Sequence, residues 1–305
     1  MPDAALDTLP FDPDAPLVAS GNLRRRQLVT EVVRYGARAA TTIAVVALVG
    51  VTVDVVREGV SAMSWTFLTH DPPQFGGTGG GIASAIVGTV LIVAVGAVIA
   101  IPLGVLCALY LTEITGPRSR GARLVQLTLD MMQGLPTVVV GLFFLGLVVD
   151  TMHAETGLAG ALALSMIMLP LIARTAQEVL LTVPQGLRDA SAALGVERWR
   201  SVLTVVLPTA ASGILTGAII AIARAAGETA PLLIVDGTFA NKTTIDLFGQ
   251  AVPNIPVLIF TLLEQANASG FPRAWGAALV LFGLILIANI TARVLLALNR
   301  RRMGL

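Results

Sequence analysis

The feature that most constrains this chain is a series of apolar runs, each about as long as a bilayer is thick. A membrane-spanning helix needs roughly 20 mostly apolar residues, and six stretches of the sequence meet that requirement. Only 13% of the residues are charged, whereas soluble domains contain about 25%. The sequence therefore predicts an all-α membrane protein with six transmembrane helices: Gly36–Val56, Ile82–Leu111, Arg123–Val149, Gly157–Val183, Pro208–Val235 and Ala274–Leu298.

Four prolines, Pro102, Pro136, Pro170 and Pro231, lie inside these predicted spans. In water, a proline in the middle of a helix usually breaks it. In a membrane bundle, neighbouring helices can satisfy the carbonyl groups that proline leaves free, so a kinked span is tolerated. We therefore expect each span to persist, with kinks, through its proline.

The basic residues predict how the spans are oriented. Cytoplasmic loops of membrane proteins carry the excess of lysine and arginine. The N-terminal segment, the loops near residues 118–123 and 188–200, and the C-terminus each hold three or more arginines. The alternate loops hold only Arg57, Lys242 and Arg273. Both termini are therefore predicted to be cytoplasmic.

The first 35 residues are predicted to be a cytoplasmic tail, and residues 36–305 a six-helix domain. Residues 1–20 contain four aspartates and several prolines but no basic residue. A signal peptide has a basic start and a short apolar core, so this segment is not expected to be one. Its composition instead predicts disorder.

Two segments outside the spans are unusual for loops. Residues 63–81 are rich in turn-forming residues and are predicted to be a loop with a short interfacial stretch. Residues 243–273 contain the apolar sequence VPNIPVLIFTLL, which is too short and too proline-rich to span a bilayer. That sequence is compatible with an interfacial helix, with a docking surface for an external partner, or with simple packing on the bundle.

Charged residues inside predicted spans are the clearest functional signal. Arg224 lies sixteen residues after Pro208, roughly 24 Å along a helix, which is past the middle of a hydrocarbon core about 30 Å thick. Glu228 follows four residues later, so the spacing predicts a pair on one helix face. The fourth span repeats the spacing with Arg174 and Glu178. Charges at such depth are costly and should face the protein interior or a water-filled path.

Two arginines at different depths are compatible with a route for an anion. The planar guanidinium donates several hydrogen bonds to phosphate-like oxygens and stays charged. The candidate pathway or gate residues are Arg224, Glu228, Thr229, Arg174 and Glu178. The alternative is that the pairs only hold helices together, and that structural role is expected for Asp130 in the third span.

The loop between the fourth and fifth spans, residues 184–208, carries a spaced motif. It resembles the E-A-A, three residues, G, nine residues, I-x-L-P signature of permeases in ABC importers, with aspartate in place of the usual glutamate. That resemblance implies a short coupling helix that docks on an ATPase subunit. The residues concerned are Asp189, Ala190, Ser191, Ala193, Leu194, Gly195, Leu207 and Pro208.

No phosphate-binding loop of the form G-x-x-x-x-G-K-[ST] is present in the chain. The only lysine, Lys242, has no such glycines before it. We therefore expect no cofactor and no catalysis in this chain, with ATP and magnesium bound by a separate ATPase.

The sequence RAAGETAPLL, at residues 224–233, is similar to a stretch of the PstA family, the permease subunits of ATP-driven phosphate importers. The likeness extends over most of residues 79–302. It implies a type I ABC importer permease (MetI-like) fold in the bacterial plasma (inner) membrane, and import of inorganic phosphate. The implied partners are a PstC-like permease, two PstB-like ATPases and a PstS-like phosphate-binding protein. The alternatives are a permease for another oxyanion, such as sulfate or molybdate, and a membrane phosphate sensor without transport.

Overall fold

The computed structural model describes residues 23–72, 80–116, 119–237, 243–264 and 270–302. Within these ranges the chain is helical and contains no β-strand. The α-helices in chain order are α1 Leu23–Val60, α2 Trp65–Thr69, α3 Ala83–Leu109, α4 Arg120–Gly134, α5 Thr137–Phe144, α6 Asp150–Met152, α7 Gly157–Thr182, α8 Gln185–Ala193, α9 Arg198–Ser201, α10 Leu207–Ala226, α11 Ala230–Val235, α12 Ile255–Glu264 and α13 Gly270–Arg302.

Three turns of π-helix interrupt these α-helices in the described part of the chain. Tyr110–Ile114 extends α3, Leu145–Val149 joins α5 to α6, and Val202–Val206 joins α9 to α10. A π turn places one extra residue in a helical turn, and such turns are frequent at functional sites. The side chains that follow each π turn are therefore rotated relative to those of an uninterrupted α-helix.

The chain divides into two compact units, and the first ends at Asp54. Its described part belongs to α1, which begins at Leu23, upstream of the predicted start at Gly36. Apolar side chains such as Ile43, Val46 and Leu48 are exposed along this helix. A helix that is apolar on every side is suited to a bilayer. The disorder predicted for residues 1–20 lies outside the described residues.

The core of the second unit, residues 55–305, is built around α3, α7 and α10. Buried alanines line the contact, including Ala97, Ala100, Ala161, Ala221 and Ala225. Small side chains let helix backbones approach closely, which gives membrane helices their van der Waals contact. Pro102 and Pro170 lie inside the continuous helices α3 and α7, so the expectation that these two spans persist through their prolines is confirmed.

Within the described residues, five helices are long and apolar enough to cross a membrane, and a sixth span is obtained only if a bent pair is counted as one. The predicted third span, Arg123–Val149, is this bent pair. Its two halves meet at Leu135 and Pro136 with an angle of 103°. Proline disfavours the α conformation of the residue before it, and Leu135 is extended. The predicted third span is therefore present as a sharply bent pair of helices and not as one continuous helix.

The predicted fifth span, Pro208–Val235, is also broken. The helix α10 ends at Ala226, and α11 starts only at Ala230, with Pro231 in its first turn. Proline is tolerated in the first turn of a helix but not in its interior. The consequence is a non-helical segment, Gly227 to Thr229, between α10 and α11.

The two segments expected outside the spans both pack on the bundle. The short helix α2 is capped by the hydroxyl of Ser64 and buries Phe67. The helix α12 buries Ile255, Leu258 and Leu262 in a cluster with residues of α3 and α13. Packing on the bundle is therefore confirmed for the VPNIPVLIFTLL sequence. Residues 73–79 and 265–269 lie outside the described residues.

We predict that Gly88→Ala destabilises the second unit. A Cβ atom at Gly88 would overlap the carbonyl oxygen of Pro253 and lie 2.7 Å from Val252. Such overpacking costs about 1–3 kcal/mol. The matched control is Gly283→Ala, because a Cβ atom there meets nothing within 4 Å. A lower thermal unfolding midpoint in detergent is expected for Gly88→Ala alone; equal midpoints would contradict the prediction.

Candidate functional site

Arg224 lies in the last turn of α10, and its side chain is exposed. Glu228 lies in the break that follows, where only its backbone N–H donates to the carbonyl of Ala225. Within the described residues, the ion pairs do not include Arg224 with Glu228. The predicted pair is therefore wrong, because the helix that would have aligned the two side chains ends between them. Thr229 stands directly before α11 and makes no side-chain cap bond.

Arg174, in the middle of α7, pairs with Asp130 of α4. The same guanidinium donates to Gln177 Oε1 at 3.1 Å and to the carbonyl of Gln126 at 3.4 Å. Glu178, the predicted partner, is exposed and forms no ion pair in the described part of the chain. The predicted Arg174–Glu178 pair is wrong, because Arg174 pairs instead with the carboxylate of Asp130 on the neighbouring helix α4. The structural role expected for Asp130 agrees with this contact.

Residues 184–208, where the coupling motif lies, form two short helices joined by a sharp turn. Gly195, directly after α8, has φ +74°, a left-handed conformation that glycine adopts without steric cost. Ala190, Ala193 and Leu194 are exposed, and Leu194 is 83% exposed. An apolar patch on an otherwise polar helix is typical of a docking surface.

One polar side chain of α8, that of Ser191, connects this helix to α9. Ser191 is buried, and its hydroxyl lies 2.5 Å from the hydroxyl of Ser201 in α9. Asp189, at the centre of α8, is exposed and accepts a hydrogen bond from Gln185 at 3.2 Å. Leu207 and Pro208 begin α10. The motif thus combines exposed apolar side chains and the exposed carboxylate of Asp189 with one buried hydroxyl, that of Ser191.

Sequence reasoning missed an ion pair beside this segment. Arg188 Nη2 lies 2.8 Å from Glu113 Oε1 at the end of the second span. In the sequence analysis Arg188 contributed only to the charge of its loop. Arg188 and Glu113 are 75 positions apart, so their contact could not be predicted from local spacing. The available signal was Glu113 itself, an acidic residue that follows a long apolar run.

A second buried polar group, also missed, holds the segment before α12. Asp236 accepts hydrogen bonds from the N–H of Val252 at 2.7 Å and from Asn254 Nδ2 at 3.3 Å. Asp236 lies beyond the candidate spans, and burial raises the pKa of its carboxyl from 3.8 to about 8. The carboxyl is therefore largely neutral at pH 7, which reduces the cost of burying it. Thr89 accepts from the N–H of Ile255 at 2.8 Å.

Comparison with known proteins places this arrangement in a transporter class. The family described as "Binding-protein-dependent transport system inner membrane component" matches residues 100–304. A chain of the MetNI methionine ABC transporter, in an inward-facing conformation, has a TM-score of 0.55 at 20% identity and covers 71% of this chain and 93% of its own. A bacterial ABC transporter involved in alginate import has a TM-score of 0.58 at 15% identity and covers 89% and 99%. The chain is thus a multi-pass permease component with the fold of ABC importer permeases.

Relatives narrow the class further. The phosphate transport system permease protein PstA 1 of Mycobacterium tuberculosis is 39% identical over 238 residues, 77% of this chain and 75% of that protein. PstA of Yersinia pestis is 36% identical over 250 residues, 82% and 84% of the two chains. PstA of Mycobacterium leprae is 35% identical over 293 residues, 93% of each chain. This chain belongs to the PstA permease family.

We predict that Gly195→Ala loosens the turn between α8 and α9. Alanine in the left-handed conformation costs roughly 1 kcal/mol, which corresponds to about a fivefold larger population of the locally open state. Gly186→Ala is the control, since a Cβ atom meets nothing within 4 Å at either glycine and only Gly195 has a positive φ. Hydrogen–deuterium exchange across residues 186–201 should rise for Gly195→Ala and not for Gly186→Ala. Equal exchange in both variants would contradict the prediction.

Proposed function

We propose that this chain is the PstA-type permease of an ATP-driven importer of inorganic phosphate in the bacterial plasma membrane. The observation that carries the proposal is the position of Arg224 in a chain of this family. It is a permanently charged side chain at the end of α10, next to a break in the helix, with no carboxylate partner in the described residues. An unneutralised guanidinium in a membrane segment attracts anions and is costly unless it faces water or an anion.

The break after Arg224 supports the same role. Non-helical backbone at membrane depth is tolerated only where it is buried in protein or lines a water-filled cavity. Glu228 and Thr229 lie in or beside that break, and both are only partly buried in this chain. Arg224 would attract the anion, and Glu228 and Thr229 would line its exit. Because a conducted ion must also leave, we expect this attraction to be weak.

Arg174 would act differently from Arg224. Its charge is offset by Asp130, and its guanidinium is already engaged by Gln126 and Gln177. Arg174 therefore offers an anion less net attraction than Arg224. We propose that Arg174 and the exposed Glu178 lie along the pathway nearer the cytoplasm, where they act as a gate and not as the main attractive site.

The energy for transport would come from other subunits. In the proposed complex, this chain pairs with a PstC-like permease and receives phosphate from a PstS-like binding protein. Two PstB-like ATPases would bind and hydrolyse ATP with magnesium, and one would dock on the exposed apolar face of α8, which includes Leu194. Both termini of this chain would be cytoplasmic, on the same side as α8.

We predict that Arg224→Gln abolishes most phosphate uptake. The variant removes charge-assisted hydrogen bonds worth roughly 1.5–3 kcal/mol each, so uptake should fall about tenfold or more. The measurement is uptake of radiolabelled phosphate at low external phosphate by cells that lack the endogenous protein. Arg123→Gln, an exposed arginine at the start of α4, is the control and should transport normally at equal membrane levels.

Three results would change the proposal. Normal uptake by Arg224→Gln would make Arg224 a structural residue. Rescue of sulfate or molybdate uptake, but not of phosphate uptake, by the wild-type chain would make it a permease for another oxyanion. Altered phosphate-dependent gene expression with no uptake at all would favour a sensor.

A further inference from the structure

The side chain of Arg188 joins three helical elements at one point. From α8, its Nε and Nη2 atoms donate to Glu113 Oε1 at 3.3 and 2.8 Å, and Glu113 lies in the π turn that extends α3. Its Nη1 donates to the carbonyl of Val183 at 2.7 Å, and Nη2 also donates to the carbonyl of Leu180 at 3.0 Å. These carbonyls belong to the end of α7, where several carbonyls of a helix lack an intrahelical partner; that of Leu180 also accepts from the N–H of Val183 at 3.3 Å.

Burial makes this junction rigid. The side chain of Glu113 is 7% exposed and that of Arg188 is 20% exposed. Breaking a buried ion pair by removing one partner leaves an uncompensated charge, so the contact is costly to open. In comparison, the ion pair of Arg34 with Glu31 is exposed, and exposed ion pairs contribute little to the stability of the fold.

The backbone alone would not hold α8 in place. Only Val183 and Pro184 separate α7 from α8, and both are extended, with ψ of 124° and 133°. A two-residue extended link can act as a hinge. Ser191 is the only residue of α8 that is buried, and its hydroxyl contacts Ser201 of α9, at the start of the fifth candidate span and not at α3 or α7. Arg188 is therefore the side chain of α8 that connects it directly to α3 and α7.

We propose that the Arg188–Glu113 pair transmits the movement of α8 to the membrane spans. Arg188 and Glu113 are then positioning residues for transport. This inference rests on the proposed docking of an ATPase on α8. A push on α8 would move the cytoplasmic ends of α3 and α7 together with it. Because α7 also carries Arg174 and packs against α10, which carries Arg224, the push would reach both arginines of the pathway.

The test is the number of phosphate ions imported for each ATP hydrolysed, measured on the complete transporter in proteoliposomes. Arg188→Lys keeps the charge, but the single ammonium group of lysine cannot donate to Glu113 and to two carbonyls in the way that a planar guanidinium does. Glu113→Gln keeps the shape and removes the charge. In both variants we expect this ratio to fall about tenfold while ATP hydrolysis stays within about twofold of wild type. Arg123→Lys, at an exposed position, should leave the ratio unchanged.

A ratio within about twofold of wild type in both variants would overturn the proposal. A parallel loss of uptake, hydrolysis and assembled complex would show a structural role only, and would also overturn it. If wild type hydrolyses ATP but imports sulfate and not phosphate, the proposed substrate fails, and the same ratio is then measured with sulfate.

A second measurement needs no change to the pair. Spin labels at Ile114 and Leu187, both exposed, are introduced on a Cys107→Ser background, since Cys107 is the only cysteine. If α8 and the end of α3 move as one body, the distance between the labels stays constant between nucleotide-free and ATP-bound transporter. A change of more than about 5 Å would overturn the proposal.

Discussion

Inside a bilayer, every backbone N–H and C=O group must find its partner within the protein, and the architecture of this chain depends on that constraint. It explains why the described residues are helical. The two breaks, at Leu135–Pro136 and at Gly227–Thr229, both occur next to a proline, of which Pro136 is exposed and Pro231 is buried. Close packing of alanines between α3, α7 and α10 supplies the remaining stabilisation, because lipid offers no hydrophobic drive for association of the spans. The same constraint requires that the backbone groups freed at each break find other partners, in the protein or in water.

Local patterns predicted the local features of the molecule. The number of spans follows from apolar length, and the coupling segment follows from residues within one loop, since the turn at Gly195 depends only on its own backbone. The two predicted ion pairs were wrong because spacing of four residues aligns side chains only in an unbroken helix, and because a carboxylate on another helix can compete. Asp130 competes in this way for Arg174, and Pro231 interrupts the helix after Arg224.

Contacts between distant residues could not be read from the sequence. Arg188 and Glu113, or Asp236 and Asn254, are ordinary loop residues until the fold brings them together in a buried position. In a chain with so few charged residues, however, each buried one carries information, since burying an unpaired charge is expensive. An acidic residue directly after a long apolar run, such as Glu113, is therefore a reason to look for a distant arginine.

The π turn at Val202–Val206 sets the direction in which the fifth span presents its side chains. One residue of an α-helix corresponds to a rotation of about 100°, and this turn holds one residue more than an α-helical turn would. Loss of a single residue here would leave the length and hydropathy of the span almost unchanged, yet would turn Arg224 by more than a quarter of a circle. A relative that differs by one residue between Trp199 and Pro208 would thus keep the same topology and present the residue equivalent to Arg224 in a different direction.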